Sequence, residues 1–420
     1  MAAIYWLRND LRTIDNKALL AFCQNAKKGL IVYTLDPHFK NWGIHRQKFL
    51  LQSLYDLNSQ FKIKNQEIIV TDKNIIEFIR NIQKHILITE FYCTKEYAFN
   101  ECQQESFISK YCQDYQIKLN IIEQNTLFKL VDLPFEIAKM PDIYTQFRKK
   151  IELNCKIHLI HSDHLDFPAK INFECDGGLN LKDIDMTSSH PVFQFIGGES
   201  TAMNRLSDYF WQYRSILNYK ETRNQMLELN DSSKFSPWIN LGCLSVQFIF
   251  SELKKVESEL GQNESTVWFY YELLWREYFK FLSLKYGSKI FNLSGIQNKS
   301  KKYFYNKAVF NQWRLGQTQD VFINAHMIEL TSTGWMSNRG RQNVASYLIH
   351  HLHLPWTWGA QHFEQLLIDY DPDLNWGNWL YLSGQGTDPR DRIFDPIRQQ
   401  QMYDPHYQYQ NTWLSQKKHI

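Results

Sequence analysis

Over the first 130 residues, short apolar and β-branched runs alternate with amphipathic stretches. The runs fall at 4–7, 30–35, 68–70, 86–91 and 119–122, and the stretches 47–61 and 74–82 carry apolar residues at helical spacing. Such alternation predicts a parallel sheet with crossover helices, a Rossmann-like α/β domain over 1–130. The first run leads directly into Arg8-Asn9-Asp10-Leu11-Arg12, with no glycine-rich turn to cradle a pyrophosphate. The sheet is therefore not expected to hold a dinucleotide in the usual way. From 131 to 189 the periodicity weakens, and Pro134, Pro141, Pro168, Gly177 and Gly178 punctuate a polar stretch that reads as a long connector with short helical pieces. From residue 190 the pattern is helical, predicting an all-α domain over 190–420 with a frayed tail after Tyr407. Eleven of the thirteen tryptophans lie beyond residue 210, which makes this second domain the place to look for cofactor chemistry.

At 420 residues, 44% hydrophobic and 22% charged, the chain has material for two domains and a large core. A formal charge of +3 neither announces nor excludes nucleic-acid binding, so any basic surface must be a local cluster. Cys23, Cys93, Cys102, Cys112, Cys155, Cys175 and Cys243 are scattered, with no Cys-x-x-Cys pair and no cysteine–histidine cluster of metal spacing. They read as reduced thiols of a cytoplasmic protein without a metal centre. No apolar run reaches a membrane span, and the first strand starts too early for a leader peptide; an organellar form cleaved before this numbering stays open. A monomer is expected.

The chemistry concentrates in two segments. Trp335-Met336-Ser337-Asn338-Arg339-Gly340-Arg341-Gln342-Asn343 and Leu367-Ile368-Asp369-Tyr370-Asp371-Pro372-Asp373-Leu374-Asn375-Trp376-Gly377-Asn378-Trp379 bring arginines, spaced aspartates, amides and tryptophans together, a mixture suited to a polar, aromatic, redox-active ligand. With Gly197-Gly198-Glu199-Ser200, Lys234-Phe235-Ser236-Pro237-Trp238 and Glu272-Leu273-Leu274-Trp275-Arg276-Glu277-Tyr278-Phe279, they resemble the photolyase and cryptochrome family. The Asn-Arg-Gly-Arg-Gln-Asn and Asn-Trp-Gly-Asn-Trp strings resemble its DASH branch. Motifs from Trp6-Leu7-Arg8 to Asp388-Pro389-Arg390 extend the likeness over nearly the whole chain.

The resemblance implies FAD in the helical domain. Alone, Ser232, Ser233, Lys234, Phe235 and Ser236 before Pro237 read as a simple N-cap; the resemblance makes them a phosphate site and adds Tyr219. Arg341 and Asp369 are expected as a buried ion pair beside the flavin ring, Asp371 as an acceptor at its edge and Asn375 opposite N5, where an amide avoids repelling a reduced anion. In Asp371-Pro372-Asp373, a solvated turn suits Asp373 better than Asp371. Trp379 and Trp356 match the inner pair of the family's electron chain. Its outer position falls on Tyr303, with Tyr305 and Trp313 as substitutes. Glu272 and Trp275 are expected to face a pyrimidine dimer, with Asn338 between flavin and dimer. Arg223, Arg339 and Arg392 are candidate phosphate clamps, although lone arginines more often form surface ion pairs. Where the family commonly has aspartate and arginine, Asn324 and Ile328 stand. For a folate antenna (5,10-methenyltetrahydrofolate), Gln146, Glu101 and Glu152 are the contacts.

Two readings follow. One is FAD-dependent, light-driven repair of cyclobutane pyrimidine dimers, chiefly in single-stranded DNA; the other is a blue-light photoreceptor that signals to a partner. Retention of Glu272, Trp275, Asn338 and Asn375 favours the lyase.

Overall fold

The computed structural model describes residues 2–157, 165–173, 178–188, 190–191, 193, 195–388 and 392–416. Cys175, Gly177, Pro389 and Arg390 lie outside these. The strands are β1 Ala2–Leu7, β2 Lys28–Thr34, β3 Ile68–Thr71, β4 Ile88–Thr94, β5 Lys118–Ile122 and the short β6 Ala169–Lys170. They form one parallel sheet in the order β3-β2-β1-β4-β5, with β6 added beside the start of β2. Central β1 is buried along its whole length, as its unbroken apolar run requires for a strand covered on both faces. Ile4 stands opposite Leu30 on one side and Phe91 on the other.

β4 lies later than its apolar run suggested. The Ile86 N–H is spent on the Ile82 carbonyl at the end of the helix Ile75–Gln83. The strand instead runs on through Tyr92, Cys93 and Thr94, whose polar atoms are met by neighbours inside the fold. The stretch 131–189 contains the eleven-residue helix Tyr144–Asn154, whose Phe147 and Ile151 are buried, and β6. It is thus fastened to both the sheet and the long helix Glu264–Tyr286.

The switch point between β1 and β4, where open α/β sheets take ligands, is filled by side chains. Arg8 bonds the Thr94 carbonyl at 3.2 Å and Glu105 at 2.6 Å. Asp10 accepts from Tyr5, Thr94 and the Arg8 N–H. The helical part then docks on this end of the sheet: the Leu11 N–H reaches Leu241 O at 3.1 Å, and Arg12 reaches Gly242 O at 3.0 Å. Gly242, at φ +70, lies so close to the Asn9 carbonyl that any Cβ would meet it at 2.0 Å. Deeper in the seam, Glu277 accepts the Leu127 N–H at 2.8 Å and Arg276 donates to Asn125 O at 2.8 Å.

The tail after Tyr407 is not frayed. Gln408–Gln416 is a helix with Tyr409 and Trp413 buried against Val321–Thr333. Ile328 belongs to the apolar seat beneath it, with Phe322, Ala325 and Met226. Asn324 instead closes a loop, its amide bonding the N–H, carbonyl and hydroxyl of Thr318.

Candidate cofactor and substrate site

The helices Asn338–Ser346 and Pro372–Leu382 carry Arg341 and Asn375, and each starts on a side-chain cap. Ser337 accepts the Gly340 N–H at 3.1 Å, and Asp371 accepts the Leu374 N–H at 3.1 Å. Arg341 meets both oxygens of Asp369 at 3.0 and 2.8 Å, with its Nε fixed to Met336 O at 2.8 Å. The expected pair forms: Asp369 is buried, while a quarter of the Arg341 side chain stays accessible.

Asp373 departs from expectation. It is buried, not a solvated turn residue, because Lys280 of the long helix donates to Asp371 at 2.9 Å and to Asp373 at 3.1 Å. Burial would raise both carboxyls. At Asp371 the ammonium and Arg276 more than offset this, so its pKa is lowered; at Asp373 burial wins and the pKa is pushed up to about 7. Asn375, one turn beyond Asp371, commits one N–H to Ala360 O at 3.0 Å, and no protein group among the described residues bonds its Oδ1. An amide held from one side with its carbonyl left over fits a ligand edge.

Segment 232–236 is organised by Arg205, which the sequence reading missed. Its buried guanidinium takes the carbonyls of Leu229, Ser232 and Ser233, each at 3.0 Å, and Asn230 Oδ1 at 2.8 Å. Lys234 is in the left-handed region at φ 55, and its ammonium turns inward to Glu228 O at 2.9 Å, over the Phe193 ring. Burial pulls its pKa down to about 7, and the Lys234 side chain is spent inside the fold. The helix started by Pro237, Ser236–Asn240, has only five residues and a weak dipole; the Ser232, Ser233 and Ser236 hydroxyls and the backbone of Lys234 and Phe235 are what the loop offers. Tyr219 is buried edge-on to Phe269 at 5.3 Å.

Glu272 and Trp275 lie side by side on the long helix, whose start is fixed by a capping box between Asn263 and Thr266. Glu272 forms an ion pair with Arg223, so Arg223 is joined to the acid and is not a free phosphate clamp. Burial raises the Glu272 pKa while Arg223 opposes it. One face of Trp275 is covered by Tyr144 from the connector, stacked at 3.5 Å and 9°, and Tyr381 stands at its edge at 5.8 Å. Asn338 is exposed at the start of its helix. Arg339 reaches Asn224 at 3.1 Å, whereas Arg392 is paired with Asp388 at 2.5 Å.

Trp379, Trp356 and Tyr303 share one apolar cluster with Trp313 and Trp376. Trp379 fits only because residue 359 is glycine: a Cβ there would meet its ring at 2.2 Å. Its nearest tryptophan ring contact is Trp313 at 6.3 Å; Trp356 touches Trp376 at 5.8 Å, and Tyr303 donates to Gln385 at 2.6 Å.

The three antenna candidates are not brought together. Glu101 sits by Arg8, Lys280 and Asp371, Gln146 is exposed on the connector helix, and Glu152 is engaged by Arg148 at 3.4 Å. Lys280, Arg205, Tyr144 and Tyr381 were invisible as site residues because their partners lie far away in sequence. Only the nearness of Tyr381 to Trp379 was a usable signal.

Residues 3–169 match the family model for DNA photolyase, and residues 268–420 match that for the FAD binding domain of DNA photolyase. A Cryptochrome DASH of Xenopus laevis is 39% identical over 99% of this chain and 82% of its own. A chloroplastic/mitochondrial Cryptochrome DASH of Arabidopsis thaliana is 37% identical over 99% of this chain and 76% of its own. The crystal structure of a Synechocystis sp. cryptochrome superposes with a TM-score of 0.92 at 38% identity, covering 100% of this chain and 89% of the other.

Proposed function

Because the chain belongs to the DNA photolyase and cryptochrome family, where its relatives are DASH cryptochromes, we propose that it is a light-driven, FAD-dependent lyase. Its substrate is the cyclobutane pyrimidine dimer, chiefly in single-stranded or unpaired DNA. The observation that carries this reading is that Glu272 and Trp275 adjoin on one helix, partly open to solvent, beside Arg223.

FAD, when bound, supplies the light absorption and the electron. The Arg341–Asp369 pair would brace its ring, Asp371 and Asn375 would meet the ring's polar edge, and Tyr219, Ser232, Ser233, Ser236 and the backbone of Lys234 and Phe235 would hold its phosphate arm. Glu272 would hydrogen-bond the dimer, with burial raising its pKa and Arg223 opposing the shift. Trp275 would pack against the dimer, with Asn338 adjoining. Arg339 remains the proposed phosphate contact, since Arg223 and Arg392 are held in ion pairs. Trp379, Trp356 and Tyr303 would deliver electrons inward to restore the reduced cofactor. Extracting a base from duplex costs a few kcal/mol, and that cost falls on a strand already unpaired.

For a folate antenna, Gln146 is retained as the contact; Glu101, beside Lys280 and Asp371, and Glu152, held by Arg148, do not fit with it. The described cysteines are free thiols, and no described helix is long and apolar enough to cross a membrane.

Illuminating the reduced protein with dimer-containing single-stranded and duplex oligonucleotides tests the reading. Repair of single strands in excess of duplex is expected. No repair of either, with the cofactor fully reduced, overturns the lyase and leaves the blue-light receptor.

A further inference from the structure

One turn before Glu272, about 6 Å along the helix axis, the same face of the long helix carries Trp268. The ring is partly exposed and bracketed by two cations: Arg223 Cζ lies 5.1 Å from its centroid and Lys220 Nζ lies 5.8 Å away. Beside it opens a groove of about 340 Å³ lined by Lys220, Gln262, Asn263, Glu264, Val267 and Trp268. The helix terminus is not what makes it a site, since Asn263 is spent on the Thr266 N–H and the Leu217 carbonyl.

The cations continue along a rim. Asn224, next after Arg223, accepts from Arg339 at 3.1 Å, so Lys220, Arg223 and Arg339 lie in series from the groove toward Asn338. The carboxylates on this rim are Glu264, paired with Lys220 at 2.5 Å, Glu272 on Arg223, and Glu221, which accepts from Ser265 at 3.0 Å. The Lys220–Glu264 pair is exposed, so an arriving phosphate can take over the ammonium at little cost. An aromatic face with flanking cations, one step from the dimer contacts, is how single-stranded nucleic acid is gripped without sequence readout.

We propose that this groove is a subsite for the nucleotide next to the dimer on the same strand. Its base packs on Trp268 and Val267, and its phosphate lies on Lys220. The inference rests on Glu272 and Trp275 being the dimer contacts.

The test compares binding and repair of a dimer supplied as a bare dinucleotide with the same dimer extended by one or two nucleotides on each side, as single strands. For the wild type, the first added nucleotide on one side tightens binding roughly tenfold, the scale of a base–aromatic stack. Trp268→Ala compresses the ratio of extended to bare substrate to within about twofold, and Trp268→Phe keeps most of it. Lys220→Ala lowers the salt slope of the extended substrate by about one ion. FAD content confirms that each variant is folded; if Trp268→Ala is not, Trp268→Phe and Lys220→Ala carry the test. Equal binding of bare and extended dimers by the wild type, or a ratio unmoved by these substitutions, removes the subsite while repair stands. Failure to repair any length, the bare dinucleotide included, removes the dimer reading and this inference with it.

Discussion

At the scale of single residues, the site depends on pairs whose members cannot be removed one at a time. Asp369→Asn would leave the Arg341 guanidinium without its counter-charge, and breaking such a pair costs about 3–5 kcal/mol. The expected outcome is protein that loses FAD on gel filtration, read as flavin absorbance per chain. Trp379→Phe is expected to slow flavin photoreduction strongly and Tyr303→Phe less, because Trp379 has Trp313 as a second ring neighbour and Tyr303 is tied to Gln385. Transient absorption decides this, and a wild-type rate in Trp379→Phe dismisses the chain. The Arg341–Asp369 pair was legible because both residues sit in distinctive strings. Asp373 was not, because its partner Lys280 is on another helix and nothing local distinguishes a buried aspartate after proline from a solvated one. The inward turn of Lys234 was hidden for a related reason: its direction is set by a left-handed backbone and by the carbonyls that Arg205 gathers.

At the scale of elements, the C-terminal helix shows how packing overrides local appearance. Gln408–Gln416 has a mixed, polar sequence, yet Val321–Thr333 is buried around nearly its whole circumference and needs a cover. The cover became visible only when Tyr409 and Trp413 were seen on Ile328 and Phe322. Trp413→Ala should therefore destabilise by about 3–5 kcal/mol, measured by denaturant unfolding. The same junction buries Glu329, whose carboxyl accepts from Tyr409 at 2.5 Å and is pushed up to about 8 by burial. A carboxyl with a raised folded pKa binds its proton more tightly when folded, so its contribution falls as pH rises from the ordinary value near 4.5 to 8. Glu329→Gln removes that loss. Its unfolding free energy relative to wild type, measured by denaturant unfolding, should climb between pH 5 and pH 9, by about 1.4 kcal/mol per pH unit until the pKa is passed. A difference that stays flat with pH would rule this out.

At the scale of the whole molecule, the alternation of runs was enough to read a parallel sheet followed by helices, since both periods are local. The way the two parts meet was not readable, because it depends on Leu11, Arg12, Leu127 and Glu277 finding partners more than a hundred residues away. A seam of this kind should make the protein melt in one calorimetric transition. Arg8→Met, which strips Glu105 of its buried guanidinium, should lower that transition without splitting it. The filled switch point also has a genetic face. In sheets that bind a nucleotide at that crevice, damage there abolishes activity outright. Here the crevice is a foundation, so lesions at Arg8 or Asp10 would surface in a screen as temperature-sensitive alleles, functional in the cool and lost in the warm, while lesions at Asp369 would be null at every temperature.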